Sequence, residues 1–482
     1  VFKLMGQNTE KRGAAQAGET VAFGKLDHAA TGDTLTAGKT AHAPLAQTGS
    51  GSIRGVIRDA AGAVIPGADV TLTNVATNVK RSTVSNEVGL YVFTGLPRGQ
   101  YELSVQMPGF KTWTAQVEVT VGQTVGLDVQ LELGEISTTV EVVGATPIIT
   151  TESMEVADVK DRLRIEQLPL NGRAVANLFD LTPGVDGGAN ARVVGMKVGS
   201  LDISLDGVPL VDRFGGGMVR VQPGLDTVQE FRIETSGSDA RYSRPATAIL
   251  ATRSGTNEFH GSIFETHRNN GASLRARRRE ETGDAAKLIR NEFGASAGGP
   301  LWLGGLYDGR DKTFWFFSYE GLRQRQEVLS VDVVPSDAMW AGDFSNLVDA
   351  SGKLTVIYDP LTTDANGQRL PFPNNIIPQD RISPYAKVLQ EVTHPATNDI
   401  NPLQGNNLVT IYPRWQDNDT TTLRVDQVLS EKDNLSVRWT RNVLEYAQEG
   451  GRYGYPAKGL KDAFGSGRQD TEINNVAVNY VR

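Results

Sequence analysis

From Leu423 to Trp439 the chain alternates with a period of two. Leu423, Val425, Leu435, Val437 and Trp439 fall on one side, and Arg424, Asp426, Ser436 and Arg438 on the other. That period belongs to an extended strand and not to a helix, so the stretch reads as β structure. Ser430-Glu431-Lys432-Asp433 is a short turn between its halves, which makes the unit a hairpin. One apolar face and one charged face suit a lipid-facing strand pair around a watery interior, and equally a soluble hairpin laid over a core. Lys312 to Arg323, KTFWFFSYEGLR, poses the same question. Trp315, Phe317 and Tyr319 share one face and Phe314 and Phe316 the other, which fits a sandwich core or the interfacial girdle of a membrane barrel.

Composition narrows the field. No run of about 18 apolar residues occurs, which excludes a transmembrane helix but not a barrel, whose strands need only ~9–11 residues each. The 482 residues include no cysteine, so disulfides, thiolate zinc sites and cysteine nucleophiles are all removed. A net charge of −8 gives no global attraction to nucleic acid. The densest basic run, Arg275, Arg277, Arg278 and Arg279, is followed at once by Glu280 and Glu281 and reads as a solvated loop, so no nucleic-acid partner is expected.

Catalytic and metal chemistry is sought without result. His28, His42, His260, His267 and His394 are scattered, and His260 and His267 fall on opposite sides of one strand. Asp417-Asn418-Asp419 lacks the Gly and closing Glu of a calcium loop. Gly38-Lys39-Thr40 fails as a phosphate loop, because Gly32 and Gly38 are separated by one residue too many. No GxSxG, HExxH or HRD signature occurs. The expectation is a chain that is not an enzyme, with no catalytic residue, cofactor or metal.

Along the chain, Val21 to Leu26 is a short strand candidate and residues 46–51, AQTGSG, form a small-residue linker. Residues 52–133 carry seven strand-like runs separated by Gly, Pro and Asn, the spacing of a β-sandwich. Residues 134–157 are a β-branched connector. From 158 to 255 the expected elements are a short helix or turn over Val159–Leu168, a helical piece over Val175–Leu181, and strands at Leu201–Leu205, Val228–Glu234 and Ala248–Thr252. Asp206-Gly207 between apolar runs is a hairpin signal. Long hairpins follow from 256 to 482, interrupted by Val333–Asn401, whose Pro, Asn and Asp content marks a long external loop.

The wording of these segments carries a resemblance. GVIRDAAGAVIPGADVTLTN with NEVGLYVFTGLPRGQYELSVQMPGF is similar to the carboxypeptidase-regulatory-like, transthyretin-type sandwich, and no peptidase activity follows from it. LPLNGRAVANLFDLTPGV, the LDGVP element, DTVQEFRIETS, Ala240-Arg241-Tyr242-Ser243-Arg244-Pro245-Ala246 and RSGTNEFHGSIFE resemble the plug and first barrel strand of TonB-dependent outer-membrane receptors, in the Oar-like branch. The implied fold is mainly β: a sandwich at 52–133, an α+β plug at 158–255, and from 256 part of an antiparallel transmembrane barrel. The implied location is the outer membrane with the sandwich in the periplasm. The implied partners are a periplasmic TonB-type energy-transducing protein, outer-membrane lipid and an unidentified extracellular ligand.

Thr139, Val140, Glu141, Val142 and Val143 look like the TonB box of such receptors, and equally like the last strand of a sandwich. Asn171 and Arg173 read as ligand contacts or as ties that hold a plug loop. Where the family places paired glycines, this chain has Ala246-Thr247-Ala248-Ile249-Leu250-Ala251-Thr252. AGETVAFGKLDHAATGDTL, within residues 1–45, resembles the second domain of elongation-factor-G-type GTPases, without their nucleotide-binding domain. The missing leader and the few strands available after Thr256 point to a processed chain or a fragment. The rival function is a surface adhesion or carbohydrate-binding protein anchored by a barrel.

Overall fold

The computed structural model describes residues 2–5, 8–11, 21–22, 50–134, 139–142, 156–167, 172–211, 217–218, 223–236, 244–270, 286–431, 433–448 and 467–481. Three short strands near the start, Phe2–Met5, Asn8–Lys11 and Val21–Ala22, form one antiparallel sheet. The remainder of the translation-factor-like segment, the arginine run at 275–279, Asn171 and Val143 lie outside the described residues.

A β-sandwich follows. Strand β1 (Gly51–Asp59) pairs antiparallel with β4 (Leu90–Leu96) and parallel with the short β7 (Thr124–Gly126) and β8 (Val129–Leu131). The second sheet contains β2 (Asp69–Asn74), β3 (Lys80–Val84), β5 (Gly99–Gln106) and β6 (Thr112–Val119), in the order β6-β5-β2-β3, and a fifth strand, Thr139–Val142, joins it at the β6 edge. The alternation expected for Tyr101, Leu103 and Val105 puts all three in the core with Ile53, Ile57, Leu72 and Val117. Gly51 already belongs to β1, so the small-residue linker ends one residue earlier than its composition suggests. Gly55 is required by packing, because any Cβ there would collide with the Leu127 carbonyl oxygen.

Farther along the chain, that strand, β9 (Thr139–Val142), and β10 (Val156–Asp161) lead to α1 (Arg162–Gln167). The sequence-based expectation of a helix or turn across Val159–Leu168 is therefore corrected: Val159 to Asp161 are strand, and the helix starts at Arg162. The reason is tertiary, since β10 hydrogen-bonds antiparallel to β13 (Val228–Ser236), and this pairing overrides its polar local character. The middle sheet has the order β10-β13-β14-β11-β12, with β11 (Leu201–Leu205), β12 (Val208–Pro209) and β14 (Ala246–Thr252). Strand β14 pairs on both sides, and its alanines at 246 and 248 are fully buried where paired glycines were the family's pattern. The 3₁₀ turn Val175–Leu181 caps one face and places Leu178 and Phe179 in the core with Phe231 and Ile233.

The rest is one long antiparallel sheet in sequence order: β15 (His260–Asn269), β16 (Leu288–Pro300), β17 (Thr313–Asp332), β18 (Leu408–Val428), β19 (Asn434–Gln448) and β20 (Gly467–Val481). The register sets Phe317 beside Leu423, Leu423 beside Trp439 and Trp439 beside Val476. A parallel row runs Trp315, Val425, Val437, Val478. These two apolar rows lie on the outer face, where Val476 and Val478 are about 60% exposed (59% and 62%). On the inner face the matching rows are Phe316, Arg424, Arg438, Ala477 and Ser318, Thr422, Thr440, Asn475. Past the apolar rows the outer face turns charged, with Arg323–Asp419, Arg325–Asp417 and Arg441–Glu472 pairs.

The segment between β17 and β18 is self-packed rather than irregular. Asn375 is buried and donates to the carbonyls of Phe344 and Thr355 while accepting from the Ile357 N–H. Asn407 ties its two ends by bonding both the N–H and C=O of Val334. Among the described residues no helix is long and apolar enough to cross a membrane.

Candidate functional site

Buried polar groups meet at two seams, one between the middle unit and the long sheet, the other between the middle unit and the sandwich. At the first seam the hairpin signal is realised: Asp206 (φ 49°) and Gly207 (φ 81°) both take left-handed backbone, the twist a two-residue turn needs. This turns the Asp206 carboxylate outward to the long sheet. It accepts from the Thr252 N–H at 2.9 Å, the Thr252 hydroxyl at 2.8 Å and Arg438 Nε at 2.8 Å, with Arg424 at 3.6 Å. Arg438 is 3% exposed, so its charge depends on this carboxylate. Arg424 also pairs with Asp426 at 2.8 Å and donates to the Thr252 hydroxyl, and Asp426 accepts from Ser254.

A second tie stands at the 3₁₀ turn Leu225–Thr227. The buried Asp226 carboxylate meets Arg162, Arg173 at 3.3 Å and Arg253 at 3.9 Å, and accepts from the Ser262 hydroxyl of β15. Its N–H donates to Glu320 of β17 at 2.6 Å, and the Thr227 and Ser318 hydroxyls are 2.7 Å apart. Burial alone pushes the Asp226 carboxyl upward, but the Ser262 hydroxyl and the Arg162 guanidinium outweigh it and hold it down at about 2.

Arg173 belongs to this cluster. Its N–H donates to Glu292 of β16 at 2.9 Å, its guanidinium lies 3.7 Å over the Phe264 ring and 3.7 Å from Glu320. It thus bridges to the long sheet, which its loop position in the sequence did not reveal.

At the second seam Glu230, Arg232 and Glu234 of β13 are all buried. The sandwich covers Glu230 and lies beside Arg232 at Gly122. Glu230, with no exposed surface, pairs with Arg98 and accepts from the Val121 N–H at 2.9 Å. Burial raises the Glu230 carboxyl to about 7, against the opposing pull of Arg98 and the Val121 N–H. The Asn257 N–H adds a bond to the Ala76 carbonyl at 3.1 Å. Beside these contacts lies a cavity of about 870 Å³ lined by Arg81, Pro97, Arg162, Asp206 and Arg424 among others, so the sandwich is docked at discrete points.

Of the candidate coupling segment, Thr139–Val142 form β9, which pairs parallel with β6, Thr139 beside Thr112 and Glu141 beside Thr114. The sequence pattern puts Arg424, Asp426 and Arg438 on the charged side of the hairpin, and the structure turns that side toward the middle unit. Sequence reasoning missed Asp206, Asp226, Glu230 and Arg98 as ties, because their partners stand on other units. Among the described residues no group of three or more His, Cys, Asp or Glu could hold a metal ion.

Comparison with known proteins adds family information. The model for an outer membrane beta barrel domain matches residues 251–482, and that for a carboxypeptidase regulatory-like domain matches 52–132. Over 273 residues the chain is 28% identical to the TonB-dependent transporter Oar of Myxococcus xanthus, a match covering 52% of this chain and 25% of that protein. The chain therefore spans about a quarter of that relative's length. Among solved structures, a mutant ferric enterobactin receptor of Pseudomonas aeruginosa, in complex with enterobactin, is 12% identical, with 67% of this chain and 38% of that one covered, at a TM-score of 0.38. Catechol 1,2-dioxygenase of Acinetobacter radioresistens is 14% identical over 20% of this chain and 56% of that one, at 0.16. Neither score establishes a common whole-chain fold.

Proposed function

We infer that this chain, an Oar-like TonB-dependent receptor of the outer membrane, imports a solute through a barrel whose plug is displaced when a TonB-type partner draws on the segment Thr139–Val143. The sandwich faces the periplasm in this reading. The observation that carries it is the character of the seam between the plug, residues 156–252, and the barrel sheet. The inner face presents buried Glu292, Ser318, Thr422, Arg438 and Thr440, and the plug answers with Asp206, Asp226, Thr227 and Arg173. Two units joined through polar pairs separate at lower cost than two halves of an apolar core, because water and counter-charges replace the lost partners once the seam opens. Such a seam suits a cork that must hold and yet release.

The test is uptake. Cells carrying the full receptor are given a panel of labelled siderophores, peptides and glycans, with the membrane potential intact or collapsed. Energy-dependent accumulation of one class, lost when Thr139–Val143 is deleted while surface display persists, supports import. Accumulation that survives the deletion at full rate refutes it.

A further inference from the structure

The segment Thr139–Val142 does not stand apart from the fold. It forms β9 at the end of the sandwich's five-stranded sheet, in parallel register with β6 over Thr112 to Ala115. Without it β6 would be an open edge, a row of unpaired backbone groups that proteins ordinarily cover. Four residue pairs are few, and so short a strand at a sheet end is only marginally held. Thirteen residues, 143–155, separate it from β10, which is ~45 Å of reach when extended. While it stays paired, a pull on it enters the sandwich, and β6 runs on to the turn whose Val121 N–H docks on Glu230.

We propose that the sandwich keeps Thr139–Val142 in reserve as the strand covering β6, and that the transducing partner takes the segment by displacing β6 from that backbone edge. The sandwich is then a competitor for the coupling segment and sets how readily the plug is loaded. This rests on the assignment of Thr139–Val143 as the coupling segment made above.

The full receptor in detergent is mixed with the purified periplasmic domain of a TonB-type protein and followed by hydrogen exchange. Displacement predicts that those amides of Thr112–Ala115 that face β9 lose protection, those facing β5 stay protected, and those of Thr139–Val142 keep theirs. Unchanged protection at Thr112–Ala115 in the complex means that the partner adds to the outer edge of β9, and overturns the proposal. A second measurement uses the absence of native cysteines. Thr114→Cys with Glu141→Cys, register partners, forms a disulfide on oxidation, abolishes binding of the partner domain, and regains it on reduction. Failure to cross-link, or full binding when cross-linked, overturns the proposal. Deletion of Thr139–Val143 separates the two claims: if the deleted receptor binds the partner domain as well as the intact one, the coupling-segment assignment itself has failed.

Discussion

Asp206 is the place where a single substitution tests how the plug is held. Its carboxylate serves the Thr252 N–H and hydroxyl within the plug and Arg438 across the seam. Asp206→Asn tolerates the left-handed backbone at φ 49° and keeps one oxygen for the Thr252 N–H, but its amide NH2 then faces Arg438 Nε–H, so it loses the charge and the bond across the seam. Loss of a hydrogen bond to a charged group sets that cost at about 2 kcal/mol. Asp206→Ala removes every bond of the carboxylate and leaves Arg438, 3% exposed, without a counter-charge, for about 3–5 kcal/mol. Arg424 retains Asp426 in both variants, so the loss falls chiefly on Arg438. The double variant Asp206→Ala with Arg438→Met then recovers part of the loss, since the orphaned charge is gone. Native-state hydrogen exchange on the receptor in detergent reads the opening free energy of β11 and β14, with the sandwich core strand β5 as internal control. Wild-type exchange in β11 and β14 of the Asp206→Ala protein, or a double variant as unstable as the two single losses added, would refute the reasoning.

Glu230→Gln removes a titration from the sandwich seam. A carboxyl raised from 4.5 to about 7 binds its proton in the docked state and not in the unfolded one, so docking is strongest at low pH and weakens as pH rises through about 7. The span is on the order of 3 kcal/mol, and the Gln variant should show protection factors at residues 120–123, taken relative to intrinsic exchange at each pH, that are flat between pH 5 and 8. Asp226 has the opposite sign. Its carboxyl is depressed from 3.8 to about 2, so its contribution is complete above 3.8 and is lost as pH falls through 2. Asp226→Asn should lower plug stability by about 2 kcal/mol at neutral pH, seen as faster exchange in β13. Gly55→Ala drives a methyl into the Leu127 carbonyl and should destabilise the sandwich by about 1–3 kcal/mol, seen as a lowered melting step for residues 51–131 with the barrel unaffected.

What the sequence disclosed and what it hid divide along one physical line. Period two is a local property, so strand identity, the Asp206-Gly207 hairpin and the two faces of Leu423–Trp439 were legible. A strand pattern assigns a charge to the polar side of a sheet without telling whether water or protein waits there. Arg438 and Glu230 both sit on such sides, and both are buried because a second unit arrives from far along the chain: Asp206 lies 232 residues from Arg438, and Val121 lies 109 from Glu230. Strand β10 was misread for the same reason, its partner β13 being a separate element downstream. Arg173 appeared as a loop residue with two readings, and only the placement of β16 and β17 shows what it grips.

Which face is covered bears on the two environments left open for the Leu423–Trp439 hairpin. In a soluble hairpin the apolar row is the one that finds a core. Here the opposite holds: the two hydrophobic core clusters formed among the described residues belong to the sandwich and the plug, and the long sheet contributes to neither. Its inner face buries Arg438, Thr422 and Thr440 against the plug, while Val476, Val478, Tyr480, Leu423 and Phe317 stand 37% or more exposed on the outside in continuous cross-strand rows. An apolar surface of that continuity facing water is an association hazard, whereas facing hydrocarbon it costs nothing. The charged pairs Arg323–Asp419, Arg325–Asp417 and Arg441–Glu472 begin where those rows stop, which is where a lipid-facing band must give way to water. A charge placed within the rows tests this directly. Leu423→Arg should block membrane insertion of the receptor, whereas the same residue type one position on, Arg424, is already accommodated on the inner face. Normal insertion of Leu423→Arg would mean that the outer rows do not meet lipid.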